Sequence, residues 1–197
     1  MDIKKAVKRQ KKYFKIFMIS MIFMFLILPL ALFLYGNINW FLLSYMISVE
    51  IMIVFAIIYR CNWEALSFQC YNNKLKLKSG IIDQETMVFC DKISIIHTLK
   101  DKEDMEIIIV SSTKIRSKRS KPINKDFYKK YPVASMKYEK QKKLNPERDY
   151  YYLVIKKGGF YKYELLDVIY KNCVKAVYTE EAIENIKIAR GQKELIF

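Results

Sequence analysis

The chain has 197 residues, 52% of them hydrophobic, and its 35 basic and 20 acidic side chains give a formal net charge of +15 at pH 7. The excess is mostly lysine, and lysine-rich basicity is by itself weak evidence for nucleic-acid binding. The sequence has no GxxxxGK phosphate loop, no GxSxG or HExxH motif and no CxxC pair, so we predict no enzymatic activity, no cofactor and no metal.

The chain begins with a basic segment, residues 1–15, followed by two apolar stretches at residues 16–35 and 40–59. A helix rises about 1.5 Å per residue, so each stretch is long enough to span a hydrocarbon core of about 30 Å. Tyrosine and tryptophan residues flank both stretches, where aromatic side chains favour the membrane interface. We therefore predict a transmembrane helical hairpin over residues 16–60.

Charge sets the orientation of this hairpin. The connection at residues 36–39 carries no charge, whereas seven basic residues precede the first stretch: Lys4, Lys5, Lys8, Arg9, Lys11, Lys12 and Lys15. The positive-inside rule then places both termini and the rest of the chain in the cytoplasm, as a multi-pass protein of the cell membrane. A cleaved signal peptide is the rival interpretation, but its apolar region would be shorter and no small-x-small site precedes the second stretch.

Glu50 lies near the middle of the second apolar stretch, where a carboxylate costs on the order of 2.5–3.5 kcal/mol on insertion scales. One interpretation is a protonated acid, hydrogen-bonded within the hairpin to Ser44, Ser48, Ser20 or a tyrosine. The other is pairing with a basic residue in another protein's span, or assembly into a homo-oligomer through the hairpin. Both make Glu50, Ser44 and Ser48 candidate membrane-assembly residues.

Residues 61–197 are numerous enough for one compact domain with its own core. Alternating apolar and polar residues predict two strands joined by a hairpin turn at Tyr71-Asn72-Asn73. Further apolar runs continue an antiparallel meander, with a charged turn at residues 100–104 and a later strand that ends at Lys156-Lys157-Gly158-Gly159. The predicted strands cover residues 66–70, 74–78, 86–90, 93–99, 106–110 and 150–155.

The chain closes in helices. Leu165, Leu166, Ile169 and Cys173 recur at helical spacing, and so do Ala182, Ile183, Ile186 and Ala189. Thr179 is placed as an N-cap of the last helix and Gly191 as its stop. The predicted fold class is α+β: a two-helix membrane hairpin, then an antiparallel β-sandwich or open barrel closed by a C-terminal amphipathic helix.

The stretch from Trp63 to Leu99 resembles the membrane-anchored bacterial pleckstrin-homology-like proteins. That family joins a two-span N-terminal hairpin to a cytoplasmic β-domain with a C-terminal helix. The resemblance is carried by a first strand, the turn and strand Tyr71-Asn72-Asn73-Lys74-Leu75-Lys76-Leu77-Lys78, then Ser79-Gly80-Ile81-Ile82 and two more strands. It implies a binding or scaffold module over residues 61–197, with an unusually long basic insertion at residues 111–148.

That insertion carries most of the positive charge that follows the hairpin: 12 basic and 2 acidic residues lie between positions 111 and 143. A solvated loop and electrostatic adhesion to anionic lipid headgroups are the two main interpretations. Nucleic-acid binding is disfavoured, because no nucleic-acid motif is present and packing explains Phe127, Tyr128, Tyr131 and Tyr138 as well as base stacking does. The candidate residues for anionic lipid or partner binding are Lys114, Arg116, Lys118, Arg119, Lys121, Lys125, Lys129 and Lys130.

The remaining reactive side chains suggest structural roles. The four cysteines, Cys61, Cys70, Cys90 and Cys173, are scattered, and His97 is the only histidine in the sequence. In a reducing cytoplasm such cysteines are most often small buried apolar residues, and a histidine in an apolar strand is most often buried. Neither pattern indicates catalysis.

Taken together, the sequence predicts a membrane-anchored binding or scaffold protein whose cytoplasmic domain binds a protein partner or anionic lipid headgroups. The alternative is a subunit of a larger membrane complex, such as secretion, conjugation or transport machinery, assembled through the hairpin and Glu50. An enzyme acting on lipid is disfavoured because no nucleophile and base occur at a recognisable spacing.

Overall fold

The computed structural model describes residues 2–36, 39–101 and 104–195, and these form an α+β structure. Its helices are α1 (Ile3–Tyr35), α2 (Trp40–Glu64), α3 (Lys125–Lys130), α4 (Pro132–Leu144), α5 (Tyr161–Asn172) and α6 (Glu180–Ala189). Its strands are β1 (Leu66–Tyr71), β2 (Lys74–Ser79), β3 (Thr86–Phe89), β4 (Ile93–Asp101), β5 (Asp104–Ser111), β6 (Lys121–Pro122), β7 (Tyr151–Ile155) and β8 (Val177–Tyr178).

Helices α1 and α2 are long and apolar enough to cross a membrane by length and composition. Their most apolar windows are 0% and 6% buried, unlike the core helices of a soluble protein. Both helices extend beyond the predicted spans. The basic segment 1–15 is helical from Ile3 and continuous with the first span, and its start is capped by Asp2, which accepts a hydrogen bond from the Lys4 N–H. Of the uncharged connection, residues 37 and 38 lie outside the described residues.

Strands β1, β2 and β3 form one antiparallel sheet in sequence order. The predicted turn between β1 and β2 is confirmed: Asn72 and Asn73 have φ values of 48° and 59°. Two left-handed residues in a two-residue loop match the twist of the flanking strands, and asparagine tolerates that conformation. Alternate residues of β2 are buried, as its pattern predicts.

The remaining strands form a second sheet in the order β6-β7-β5-β4-β8. The predicted meander is therefore divided. Among the described strands, β3 pairs with β2 alone, and a 3₁₀ turn at Cys90–Lys92 separates β3 from β4. Strand β8 lies parallel to β4, so the second sheet is not purely antiparallel. Over the described residues the two sheets stay open and do not close into a barrel. The predicted charged turn 100–104 falls partly on residues 102 and 103, outside the described part of the chain.

The main core lies between one face of the second sheet, the buried face of the first sheet, and helices α5 and α6. The first turns of α1 belong to this core, because Ile3 and Ala6 are 5% and 0% exposed and cluster with it. Gln10 fixes the next turn: its Oε1 accepts a hydrogen bond from the Phe160 N–H at 2.7 Å. The N-terminal part of α1 is therefore part of the folded β-domain.

A second core covers the opposite face of the same sheet. It is built by α3, α4 and the single residue between them, Tyr131. Phe127, Tyr131, Ala134 and Tyr138 cluster with residues of β5 and β7. The basic insertion is thus largely ordered, which corrects the interpretation as a solvated loop. Its aromatic residues pack internally, and only Tyr128 of the four is exposed, at 39%. Every position of β5 after Asp104 is buried, since both faces of the strand are covered.

The last helix, α6, begins and ends at the predicted residues. The Thr179 side chain accepts a hydrogen bond from the Ala182 N–H, and Gly191 follows the helix with φ at +71°.

His97 is buried on β4, with Nδ1 3.0 Å from Thr179 Oγ1, as expected of a structural histidine. Burial lowers its pKa, so the folded protein favours the neutral imidazole. Cys90 and Cys173 are also buried, and all four cysteines are free thiols.

Candidate anion-binding cleft

A cleft of about 550 Å³ lies where the basic insertion meets the edge of the second sheet. The loop that follows β5, strand β6, the end of α3 and the residues after β7 all contribute to its walls. Six basic side chains line it: Lys118, Arg119, Lys121, Lys130, Lys156 and Lys157. Clefts of this volume are in the usual range for small-molecule sites.

The loop that carries Lys118 and Arg119 is held from both ends. Ile115 is 3% exposed and anchors it in the main core. Ser117 then organises the turn: its hydroxyl accepts hydrogen bonds from the Arg119 N–H at 3.3 Å and from Thr86 Oγ1 at 3.1 Å. Lys121, two residues after Arg119, is fixed by the pairing of β6 with β7. The cleft therefore has an ordered backbone on this side.

One wall of the cleft rests on Glu106, a residue of β5 that is 8% exposed. Its carboxylate lies 2.9 Å from Lys156 Nζ and 3.6 Å from Lys130 Nζ, and it accepts a hydrogen bond of 3.1 Å from the Tyr131 hydroxyl. Burial alone would raise the pKa of Glu106, but the Lys156 hydrogen bond and the two lysine charges outweigh it and hold that pKa below its usual range. Glu106 thus stays ionised and fixes two of the cleft's lysines.

The other wall rests on Asp83, in the segment between β2 and β3. Its carboxylate pairs with Arg119, and Lys157 Nζ donates to it at 2.9 Å. Burial opposes ionisation of Asp83, but hydrogen bonds from Lys157 and Arg119 lower its pKa. Arg119 Nη2 also donates to the Ser79 carbonyl at 2.7 Å. This network joins the basic insertion to the end of β2.

This wall adjoins the end of α2. The Gly158 N–H donates to the Trp63 carbonyl at 2.9 Å, directly after Lys157. Gly158 has φ at +109°, and a Cβ there would lie 2.6 Å from the Leu66 side chain, so only glycine lets the chain pass this close. Gly158, which follows the predicted strand, therefore also places Lys157 beside the end of α2.

The cleft keeps a net positive charge after its internal pairing. Among the described residues that line the cleft, Asp126 is the only acid, and Glu106 and Asp83 neutralise part of the charge of the basic side chains. Counting these three acids against the six basic residues leaves a formal charge of +3. Within the described residues, Lys118 and Lys121 form no ion pair. The arrangement can hold a multivalent anion by charge and by ammonium hydrogen bonds.

The eight predicted binding residues divide into two groups. Lys118, Arg119, Lys121 and Lys130 come together in the cleft, whereas the other four lie exposed outside it: Lys114, Arg116, Lys125 and Lys129. Sequence reasoning missed Lys156 and Lys157, which it treated as the end of a strand. The available signal was a lysine pair placed directly before two glycines.

The predicted membrane-assembly residues are not brought together. Both Glu50 carboxylate oxygens are buried and have no hydrogen-bond partner among the residues that the structure describes. Ser44 instead donates to the Phe41 carbonyl at 2.9 Å, and Ser44 and Ser48 are both exposed. In the described part of the chain, Glu50 therefore lacks the expected hydrogen bond to Ser44, Ser48, Ser20 or a tyrosine. Ser48 and Ser44 lie two and six residues before Glu50, so they face other sides of the helix. Glu50 lines a shallow apolar pocket with Phe25 of α1 and Val54 and Phe55 of α2.

No protein-family model, curated protein or solved structure matches this chain.

Proposed function

We propose that this chain is a two-span membrane protein with both ends in the cytoplasm, and that its β-domain is a non-enzymatic module that binds anionic phospholipid headgroups in the basic cleft. The resemblance to bacterial pleckstrin-homology-like proteins stays a prediction that agrees with such a role. The observation that carries the proposal is the position of the Asp83, Arg119 and Lys157 network beside the end of α2.

The cleft lies close to the end of α2, and its basic side chains attract anionic headgroups. If α2 leaves the bilayer near Tyr59, then Trp63, which bonds to Gly158, lies about 6 Å further along the helix. The end of the cleft at Lys157 thus faces the headgroup layer, where each basic residue contributes about 1 kcal/mol of attraction to an anionic surface. The burial of Ile3 and Ala6 supports retention of α1, because removing α1 as a signal peptide would also remove part of the core.

The unpaired lysines of the cleft provide the test. We expect the double substitution Lys118→Ala with Lys121→Ala to weaken phosphatidylglycerol binding about 30-fold, from two losses of about 1 kcal/mol each. Binding is measured by native mass spectrometry of the detergent-solubilised full chain titrated with phosphatidylglycerol, with phosphatidylcholine as the neutral lipid. The wild type should prefer phosphatidylglycerol, and this preference should decrease as salt is raised.

A matched control lies in the same segment. Lys125→Ala with Lys129→Ala removes the same charge from two exposed positions outside the cleft, so it should leave the phosphatidylglycerol preference close to that of the wild type. Equal losses in the two double variants would show that diffuse charge, not the cleft, attracts the lipid. Equal wild-type binding of both lipids would refute the proposed function.

A second candidate function rests on Glu50. Two buried carboxylate oxygens without a partner in an apolar helix pair are costly, and a basic residue in another membrane protein would satisfy them. This observation favours a subunit of a larger membrane complex.

For this second function, we expect Glu50→Gln to reduce the recovery of a stoichiometric membrane partner about tenfold, because the amide removes a charge pair worth more than about 1.4 kcal/mol. Recovery is measured by quantitative mass spectrometry after purification of the full chain in mild detergent. Met52→Leu, a change at a position that is 70% exposed on the same helix, is the control and should keep the partner. Unchanged recovery from Glu50→Gln would exclude Glu50 as the contact.

A further inference from the structure

The segment between β2 and β3 exposes two large apolar side chains at its tip. Ile81 is 54% exposed and Ile82 is 75% exposed, and they are the first two residues after Gly80. A single exposed isoleucine is ordinary on a protein surface, but two adjacent ones at the tip of a fixed loop are a local apolar patch. The position of this tip relative to α2 indicates what covers it.

Strand register shows that the tip lies alongside the last turns of α2. Strand β1 starts just after α2 and runs away from it, and β2 returns antiparallel with Ser79 opposite Leu66. Beyond Ser79 the chain continues toward α2: the Gly80 N–H donates to the Ala65 carbonyl at 2.7 Å, and the Ile81 N–H donates to Asn62 Oδ1 at 3.0 Å. Ile81 therefore bonds to a residue three positions earlier in the chain than the one to which Gly80 bonds.

The depth of the tip follows from the same contacts. Asn62 lies three residues after Tyr59, or about 4.5 Å of helix, and helical Cα–Cβ bonds tilt toward the N-terminus, here toward the proposed bilayer. The headgroup layer is about 5–8 Å thick on each side of the hydrocarbon core. With α2 in the membrane, the Ile81 N–H, which bonds to Asn62, thus lies at the level of the interfacial layer, and Ile82 is the next residue along the tip.

The tip is also held in place. Asp83, the next residue, is bound by Arg119 and Lys157, so the base of the tip is part of the wall of the cleft. A fixed tip loses little conformational entropy when it enters the interface.

We propose that Ile81 and Ile82 insert into the apolar part of the bilayer interface beside α2, and that this contact fixes the tilt of the β-domain over the membrane. The proposal rests on the membrane placement in the proposed function but not on lipid binding in the cleft. Insertion buries apolar surface, so it needs no anionic lipid and is insensitive to salt. It gives the domain a third attachment, in addition to α1 and α2.

The test uses spin labels on the full chain reconstituted in lipid nanodiscs. A background of Cys61→Ala and Cys70→Ala removes the two partly exposed thiols, and Cys90 and Cys173 are 1% exposed. A label is placed by Ile82→Cys at the tip. Two reference positions are Phe55→Cys, 67% exposed on α2, and Tyr71→Cys, 77% exposed at the opposite end of the β1–β2 hairpin. Collisions with oxygen and with a water-soluble nickel chelate report the depth of each label.

We expect the label at position 82 to show a several-fold higher ratio of oxygen to nickel collisions than the label at 71, approaching the ratio at 55. The result should be the same in phosphatidylcholine and phosphatidylglycerol nanodiscs and in the Lys118→Ala, Lys121→Ala background. A ratio at 82 equal to that at 71 would overturn insertion, even where the cleft still selects phosphatidylglycerol. A water-exposed label at 55 would overturn the membrane placement and with it both proposals.

Discussion

Replacing Phe127 with alanine is expected to lower the free energy of unfolding by about 3–5 kcal/mol, the usual cost of removing a buried phenylalanine. Phe127 is fully buried, and its ring centroid lies 4.9 Å from that of Tyr152 and 5.6 Å from that of Tyr131. The loss includes these aromatic contacts and leaves a cavity between α3 and the sheet. Pulse proteolysis of the full chain in detergent and urea measures the change.

The neighbouring residue provides the control for this prediction. Tyr128→Ala removes an aromatic side chain of similar size from the same helix, but that side chain is 39% exposed and should cost far less. Hydrogen exchange should localise the effect of Phe127→Ala to α3, α4 and the walls of the cleft. Equal destabilisation by the two variants would mean that the second core is not built around Phe127.

Replacing Asp104 with asparagine is expected to destabilise the fold by about 2–4 kcal/mol, because it leaves the buried Lys162 ammonium without its counter-charge. Lys162 is fully buried, with Nζ 2.7 Å from Asp104 Oδ1 and 2.6 Å from the Lys156 carbonyl. The expected cost is below that of a fully enclosed pair, since Asp104 is 35% exposed. Asparagine keeps an oxygen near Lys162, so the change tests charge more than shape. Urea denaturation at pH 7 measures it.

The effect of Asp104→Asn should depend on pH. Burial lowers the pKa of Lys162 in the folded state, and Asp104 opposes this lowering, so the variant has a still lower folded pKa. Between that value and the ordinary value of 10.5, the unfolded chain binds one proton more than the folded chain. Stability therefore rises with pH through this window, and the deficit of the variant should shrink on going from pH 7 toward pH 10.

A double variant separates charge from packing. Lys162→Met in the Asp104→Asn background removes the unpaired buried charge and replaces it with an apolar side chain of similar length. It should be more stable than Asp104→Asn alone at pH 7, because well-packed apolar residues often substitute for buried ion pairs without loss. A double variant as unstable as the single one would show that the unpaired Lys162 charge is not the source of the loss.

Local signals in the sequence predicted local structure. The two-asparagine turn, the Thr179 cap and the strand alternation of β2 each depend on neighbouring residues, and the structure confirms them. The long apolar helices follow from composition in the same way. The division of the meander was not predictable, since the 3₁₀ turn at Cys90–Lys92 carries no strong breaking residue.

The cleft depends on contacts that sequence spacing does not reveal. Lys157 and Asp83 are 74 residues apart, and Tyr131 and Glu106 are 25 apart. The covering helices α3 and α4 have a lysine-rich surface that masks their few buried aromatic residues, so the apolar pattern was weak. Charge density alone therefore identified the segment but selected only four of the six basic residues in the cleft.

The packing of α1 into the core has a consequence for how the chain matures. Ile3 and Ala6 are synthesised long before Leu166 and Ile169, with which they share a core, and the contact between Gln10 and Phe160 joins positions 150 residues apart. Contacts between distant positions form only after the intervening chain has been made. The start of α1 therefore lacks these core partners until α5 has been synthesised. These contacts close a loop of 150 residues, so the docking of α1 onto the β-domain is a late event in folding.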